Sequence, residues 1–248
     1  MANRLAVPAS DRRQRQLDAE VPGAFEAKVQ VKLGHYGLQY DNPARWVNYG
    51  AQVRAVLECG PRTVLEVGTG NGTVAGILRQ RGVEVTTVDI DPALGPDIVG
   101  SVHELDRCVS PESYDVVLCA EVLEHLPFEL FGGCCRRLAA LARTRVVIGL
   151  PCFPKPRWGF ELALHIPRIG LQMVRATWSP LPRWPGPDRE HHWAVDYRPY
   201  PLAHVLRAIP PTLTVEDVRR EPLDPGHIVL LCTPIDEPRP ETSGGREE

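Results

Sequence analysis

The chain has 248 residues, of which 43% are hydrophobic and 24% are charged, a composition typical of a globular protein. Its length suits one large α/β domain, with or without a small insert. The formal net charge of −3 argues against a strong nucleic-acid binder, which would normally be basic. The seven cysteines show no C-x-x-C spacing and their count is odd, so they predict reduced thiols and no metal site.

The two ends of the chain differ in composition from its middle. Residues 1–20 and 234–248 are polar and rich in charge, proline or glycine, so we expect both to be disordered around a domain at 21–233. The start of the chain lacks the apolar stretch of a secretory signal, and no long apolar run could form a transmembrane segment. These features favour a cytoplasmic protein, either a monomer or a homodimer.

Helices and strands alternate through the first half of the domain. Asn42 caps a predicted helix over 43–57, which has a proline in its first turn. Residues 63–67, TVLEV, predict a strand, which a glycine-rich loop and a helix closed by Gly82 follow. The β-branched run VEVTTVDI at 83–90 predicts the next buried strand.

The second half continues this alternation and then changes direction. Residues 115–120 and 145–151 predict two further strands, and an amphipathic helix over 128–143 lies between them. Alternating strands and helices require crossover connections, so we predict a Rossmann-like three-layer α/β sandwich with a mostly parallel sheet. The runs at 213–223 and 227–235, joined by the turn Asp-Pro-Gly, predict an antiparallel C-terminal hairpin.

Residues 151–200 interrupt the alternation. They contain nine of the 25 prolines and four of the five tryptophans, and we interpret them as a substrate-lid insertion over the ligand edge of the sheet. The stretch 158–178 predicts an amphipathic helix kinked at Pro167, which either packs as a lid or lines a lipid-like pocket or rests on a membrane surface.

The loop after the first predicted strand carries three glycines in five positions, within VLEVGTGNG at 64–72. Glycine lets the backbone approach a ligand closely and tolerates positive φ, and ligands of open α/β sheets lie at the carboxyl ends of the strands. The spacing differs from the G-x-G-x-x-G of dinucleotide dehydrogenases, and Glu66 would repel a pyrophosphate but could accept from an ammonium group. A tight turn without a ligand is the alternative.

The next strand ends in a second acidic position, Asp89, where a carboxylate can accept hydrogen bonds from both hydroxyls of a ribose. Its alternative role is a turn or helix cap. Asp91, directly before a proline, is better interpreted as a turn residue.

VLEVGTGNG, TTVDID and SYDVVLCAEVLEHLP together resemble three motifs of the class I S-adenosylmethionine-dependent methyltransferases, in the same order. The resemblance covers roughly residues 40–150 and the terminal strand pair. It implies a seven-stranded sheet whose last strand is antiparallel, S-adenosylmethionine as the cofactor, and the transfer of a methyl group.

The resemblance also implies which residues surround the cofactor. The glycine loop and Glu66 would surround its methionine part, Asp89 its ribose, and Glu121 the junction with the acceptor. The segment that begins at Ser101 would lie at the adenine, although many members have an acidic residue in that position. The complete set of expected cofactor residues is Glu66, Gly68, Thr69, Gly70, Asn71, Gly72, Asp89, Ile90, Ser101, Val102, His103 and Glu121.

Three histidines compete for the role of a catalytic base, which a hydroxyl acceptor would require. His191 and His192 lie among acidic and aromatic residues and are favoured, with only one expected to face the acceptor, and a solvated turn is the alternative. His125 follows the fourth-strand motif, where a structural role is more common.

The acceptor class follows from the insertion. Seven basic and four acidic residues together with four tryptophans suit a small aromatic or amphiphilic acceptor, so we predict a small-molecule methyltransferase that acts on oxygen. The alternatives are a methyltransferase acting on RNA or protein, a non-catalytic cofactor-binding relative, and a dehydrogenase. The tyrosines and the tryptophan at 36–49 would either cover the cofactor or only pack a helix against the sheet.

Overall fold

A computed structural model describes residues 28–31, 33–152, 159–166, 168, 170–177, 183, 185–186, 190–221 and 223–235. The expected disordered segment at 1–20 and most of the expected tail lie outside these residues. Strand pairing extends to Pro234, and the backbone N–H of Ile235 donates to the carbonyl of Thr212 (2.8 Å).

One seven-stranded sheet organises the molecule, with strand order β3-β2-β1-β4-β5-β9-β8. The pairs β3-β2-β1-β4-β5 are parallel, whereas β9 is antiparallel to both β5 and β8. This confirms the predicted fold class and the C-terminal hairpin. The strands of this sheet are β1 (Thr63–Val67), β2 (Glu84–Asp89), β3 (Ile98–Val99), β4 (Tyr114–Ala120), β5 (Ala142–Pro151), β8 (Leu213–Glu221) and β9 (Asp224–Pro234).

Helices cover both faces of the sheet, as the buried central strands require. On one face, α1 (Pro43–Glu58) and α2 (Thr73–Gln80) pack against the apolar side chains of β1, β4 and β9. On the other face lies α3 (Phe131–Leu141), and the short α4 (Leu202–Arg207) packs into the same core. Short 3-10 helices complete the connections, at Leu33–His35, Pro92–Leu94, Val102–Arg107, Leu123–His125 and Phe128–Leu130.

The predicted N-cap of α1 is confirmed, because the side chain of Asn42 accepts from the backbone N–H of Arg45 (3.1 Å). The predicted helix at 128–143 is shorter than expected. Its first turn is a separate 3-10 helix, and the α-helix ends at Leu141 because Ala142 is extended (ψ 135°) and pairs with β4 as the first residue of β5.

The predicted amphipathic helix at 158–178 is wrong. The segment forms the antiparallel hairpin β6 (Gly159–Ile166) and β7 (Gly170–Thr177), a separate two-stranded sheet. Apolar residues at 160, 162, 164 and 166 recur with period two, which is the period of a strand. Arg168 in the connecting turn has φ +70°, a conformation that ends a helix; the predicted kink residue, Pro167, lies outside the described residues.

The end of the predicted insertion belongs to the core. The indole of Trp193 is completely buried, and its N–H donates to the carbonyl of Leu126 (3.2 Å). The backbone N–H of Val195 donates to the carbonyl of Pro151 (2.9 Å). Residues 193–195 are therefore fixed against the sheet. The three other tryptophans expected in the lid, Trp158, Trp178 and Trp184, lie outside the described residues.

All seven cysteines are free thiols, as the sequence predicted. Among the described residues there is no helix with both the length and the apolar character needed to cross a bilayer.

Candidate active site

A pocket opens at the carboxyl ends of β1, β2 and β4, where an open α/β sheet places its ligands. Ten of the twelve expected cofactor residues form part of its wall; these are Glu66, Gly68, Thr69, Gly70, Asn71, Asp89, Ile90, Ser101, Val102 and Glu121. The two others do not line it. Gly72 is the N-cap of α2, and His103 is buried, with its Nδ1 2.7 Å from the hydroxyl of Ser101. His103 can thus orient Ser101, although it does not line the pocket.

The glycine loop requires glycine for two separate reasons. Gly68 has φ +82°, and a Cβ there would lie 2.1 Å from a methyl group of Val122. Gly72 has φ +72° but has open space around it, so it is constrained only by its backbone conformation. The backbone N–H of Gly68 donates to the carbonyl of Val88 (2.7 Å), which holds the loop against β2. The loop is therefore fixed between two neighbouring elements.

Asp89 connects the end of β2 to the glycine loop. Its Oδ2 accepts from the backbone N–H of Gly70 (3.2 Å), and its Oδ1 accepts from the backbone N–H of Asp91 (3.0 Å). Each carboxylate oxygen has a further lone pair, so Asp89 can still accept hydrogen bonds from a ligand in the pocket. Asp91 has the predicted turn role, because its side chain caps the backbone N–H of Ala93 (2.9 Å).

Glu66 is a buried carboxyl in the pocket wall, only 4% exposed. Burial raises its pKa to about 8, against the smaller lowering effects of Arg79 and of hydrogen bonds from Ala75 and Thr69. Its Oε2 has no hydrogen-bond partner. A buried acceptor without a partner is costly, so a cationic donor such as an ammonium group fits this position.

The N-terminal segment closes one side of the pocket. Asp41 Oδ1 accepts from the hydroxyl of Tyr49 (3.0 Å) and from the side-chain amide of Asn71 (3.1 Å), which ties the segment to the glycine loop. The rings of Tyr36 and Tyr40 meet edge to face with their centroids 5.0 Å apart, and both line the pocket. These aromatic residues were predicted either to cover the cofactor or only to pack a helix against the sheet. In the structure Tyr36 and Tyr40 line the pocket and also pack against each other.

Glu121 holds the far end of the pocket together. It has φ +57°, and its Oε2 lies 3.0 Å from Nε2 of His227 and 3.8 Å from Arg45. Burial alone would raise the pKa of Glu121, but the positive charge of His227 and Arg45 lowers it below its usual range. The other ring nitrogen of His227 lies 2.7 Å from Asp224.

The two carboxylates that flank His227 favour its cationic form. Burial lowers its pKa, but the carboxylates of Glu121 and Asp224 outweigh this effect and raise the pKa to about 10. Sequence analysis missed this residue, because His227 lies on β9 and meets Glu121 only through the pairing of β9 with β5.

Two of the three candidate bases lie together beside Glu121. His125 lines the pocket, and its ring centroid is 5.1 Å from that of His191. Among the described residues that line the pocket, neither His191 nor His192 appears; His192 contributes its backbone, whose N–H donates to the carbonyl of Glu124 (2.8 Å). The structure thus brings His125 and His191 together and leaves His192 aside.

Glu124 completes this group and was missed from the sequence. It is fully buried, and neither of its carboxyl oxygens has a hydrogen-bond partner. Burial and the neighbouring Glu121 raise its pKa well above the usual value. One donor atom from each of Glu124, His125 and His191 lies within 4.8 Å of the other two. Cysteine spacing, on which the prediction of no metal site was based, carries no information about such a group.

The chain matches a family model described as "Methyltransferase domain" over residues 12–147. Curated relatives include ubiquinone biosynthesis O-methyltransferases from Pseudomonas fluorescens (strain Pf0-1), with 36% identity over 81 residues, and from Saccharophagus degradans, with 36% identity over 101 residues. The first match covers 27% of this chain and 34% of the relative, and the second covers 35% and 40%. The chain therefore spans well under half of the length of these relatives.

Solved structures match nearly the whole chain. The 1,6-didemethyltoxoflavin-N1-methyltransferase of Burkholderia thailandensis, solved with 1,6-didemethyltoxoflavin and S-adenosylhomocysteine, has a TM-score of 0.50 at 20% identity and covers 95% of this chain and 94% of its own. The magnesium protoporphyrin IX methyltransferase of Synechocystis PCC 6803, with S-adenosylhomocysteine bound, has a TM-score of 0.52 at 15% identity, with coverages of 91% and 94%. At these identities the similarity shows a shared fold.

Proposed function

The chain belongs to the class I S-adenosylmethionine-dependent methyltransferases, and we propose that it transfers a methyl group to an oxygen atom of a small molecule. One observation carries this proposal. The pocket that contains Glu66, the glycine loop and Asp89 continues to Glu121 and His125 without leaving the sheet edge, so a cofactor and an acceptor can lie end to end.

The residues of the first part of this pocket fit the cofactor. The unpartnered Oε2 of Glu66 can accept from the ammonium group of the methionine part, and Gly68 and Gly70 line the pocket with backbone alone. Asp89 can accept from the ribose hydroxyls while it keeps its two backbone hydrogen bonds. When bound, S-adenosylmethionine supplies an electrophilic methyl group on a sulfonium.

The other part of the pocket suits a polar acceptor. Glu121 is held there by His227 and Arg45, and the ring of Tyr40, with the Arg45 guanidinium 4.6 Å from its centroid, lines the same pocket. Methyl transfer depends mainly on holding the nucleophile in line with the methyl carbon, which such a rigid, partly apolar wall favours. We place the loss of the acceptor's hydroxyl proton at the cluster of Glu124, His125 and His191, because His125 brings this cluster to the pocket wall.

Oxygen as the accepting atom is supported by the curated relatives, whose printed names are those of O-methyltransferases. The sequence after β4, Ala-Glu-Val, also lacks the Asn-Pro-Pro-Tyr type of signature that methylators of planar amino groups often carry. Both points favour a hydroxyl over an amine.

The first experiment is calorimetric titration of the purified protein with S-adenosylmethionine and, separately, with S-adenosylhomocysteine. We expect micromolar binding of both. The protein would then be tested against a panel of phenols, catechols, aliphatic alcohols and matching amines, with release of S-adenosylhomocysteine as the readout. If the folded protein binds neither compound, the proposed function is wrong, and turnover confined to the amines would refute only the oxygen assignment.

A further inference from the structure

We propose that Glu124, His125 and His191 form a binding site for one divalent cation beside the acceptor end of the pocket. The existence of this site follows from the geometry of the three side chains, whereas its role in acceptor binding rests on the proposed function. The three residues belong to two segments, the 3-10 helix after β4 and the chain that precedes Trp193, and the fold brings these segments into contact.

The distances suit ligands of a common ion better than partners in a hydrogen bond. Nε2 of His125 lies 4.0 Å from Oε1 of Glu124, which is too long for a hydrogen bond. Three donors bound to one ion at about 2.0–2.2 Å in tetrahedral geometry lie about 3.3–3.6 Å from one another. The three donor atoms here lie within 4.8 Å of one another, so closing them around an ion takes side-chain shifts of up to about an ångström, to which the partly exposed His191 can contribute.

Glu124 supplies an independent reason to expect a ligand. It is completely buried, and both of its carboxyl oxygens lack a hydrogen-bond partner. A buried carboxyl group in this condition loses its hydration without compensation, and a bound cation is one of the few partners that restores it. The carboxyl oxygens lie next to the imidazole ring of His125, so the same cation would reach both.

The second nitrogen of His125 is already engaged. Nδ1 forms a hydrogen bond with the backbone carbonyl of Glu190, and since a carbonyl can only accept, Nδ1 must be the donor. In neutral imidazole this leaves Nε2 with a lone pair, on the side of the ring that lies near Glu124. Metal-binding histidines are commonly fixed in this way by a carbonyl on the other ring nitrogen.

The donor set indicates the class of ion. Two imidazoles and one carboxylate bind first-row divalent ions such as Zn²⁺, Fe²⁺ and Mn²⁺, and they leave coordination positions open. The nearby carboxylate of Glu121 adds a negative charge on the pocket side, which Arg45 and His227 partly neutralise. The cation would therefore be held by bonds to the three donor atoms, and not by an excess of negative charge in the pocket. An acceptor with a hydroxyl or carboxylate oxygen could fill an open position, where the bound cation, rather than a lone pair of the three ligands, would promote the loss of the hydroxyl proton.

The test is a titration of the metal-free protein with Mn²⁺ alone, followed by electron paramagnetic resonance of the free ion. Mn²⁺ has little affinity for the thiols of the seven cysteines, which Zn²⁺ would also bind. The variants are Glu124→Gln, which keeps the shape of the buried side chain, and His191→Ala, which changes a partly exposed one. His192→Ala is the matched control, because His192 is the neighbour of His191 and only its backbone contacts Glu124.

We expect the wild-type protein and His192→Ala to bind one Mn²⁺ per chain with affinities within twofold of each other. Glu124→Gln and His191→Ala should each weaken this binding at least tenfold. Absence of stoichiometric binding by the wild type, or equal binding by all four proteins, would overturn the proposal. Calorimetry with S-adenosylhomocysteine on the same metal-free samples tests the proposed function separately from the cation site. Binding of S-adenosylhomocysteine also reports that a variant is folded.

Discussion

Replacement of Asp89 by alanine tests the cofactor half of the pocket most directly. The side chain is 9% exposed, and each of its oxygens already accepts one backbone hydrogen bond, from Gly70 and from Asp91. The carboxylate is therefore held in one orientation before any ligand binds. Its removal takes away both acceptors proposed for the ribose hydroxyls and releases the glycine loop from the end of β2.

The expected loss follows from these contacts. A hydrogen bond to a charged group contributes about 1.5–3 kcal/mol, so two of them are worth at least about 3 kcal/mol. This corresponds to a weakening of roughly 150-fold in the Kd for S-adenosylhomocysteine, since about 1.4 kcal/mol is a factor of ten. Asp89→Asn keeps one acceptor oxygen and should weaken binding by an intermediate factor.

The assay is calorimetric titration with S-adenosylhomocysteine, well below the melting temperature of each variant. Asp91→Ala is the matched control, because its carboxylate caps Ala93 at the same end of β2 and does not line the pocket. It should bind within about twofold of wild type. A folded Asp89→Ala variant that binds within about threefold of wild type would refute the ribose assignment.

Three further predictions concern the pocket wall. Because burial raises the pKa of Glu66 from 4.5 to about 8, the ligand-free wild type should lose stability as the pH rises through this range, whereas Glu66→Gln should not. Melting temperatures of both proteins between pH 5 and 8.5 test this. The same dependence on pH in both proteins would contradict it. In urea unfolding, Gly68→Ala should lower the free energy of unfolding far more than Gly72→Ala, because both positions have positive φ but only a side chain at position 68 meets Val122. Equal losses of stability would show that backbone strain alone determines the cost. The ring of His227, with its pKa raised to about 10, should remain an imidazolium at pH 8 in ¹⁵N spectra, and a neutral ring would disprove the ion pair.

The pH dependence has the same sign for the two titrating groups, although the form that folding favours is neutral in one and cationic in the other. Glu66 has a folded pKa above its unfolded value, so folding favours the protonated acid, and the penalty for ionising it grows with pH. His227 is also raised, from 6.5 to about 10, but here the favoured form is the cation. Its contribution is complete below pH 6.5 and is lost as the pH approaches 10, so the stability of His227 variants should approach that of the wild type only in alkaline solution.

Local sequence was sufficient for the elements and for one half of the pocket. The cap at Asn42, the alternation of strands and helices, and the glycine loop before α2 depend on backbone geometry and burial over a few residues, and the structure has them where they were expected. The prediction at 158–178 was wrong, because the spacing of its apolar residues was assigned to the period of a helix. The segment has the period of two that belongs to a strand, and it forms β6 and β7.

The sequence by itself determined the fold class and the residues at the ends of β1 and β2, because in a parallel sheet these ends are adjacent and the loops that follow them are short. Only the tertiary structure decided which polar residues meet at the acceptor end. His227 reaches Glu121 through the antiparallel insertion of β9 beside β5. His191 reaches His125 because hydrogen bonds from the next two residues, His192 and Trp193, hold its segment to the carbonyls of Glu124 and Leu126. Such contacts join segments far apart in the chain, and their formation depends on strand order and side-chain packing, which short-range patterns do not specify.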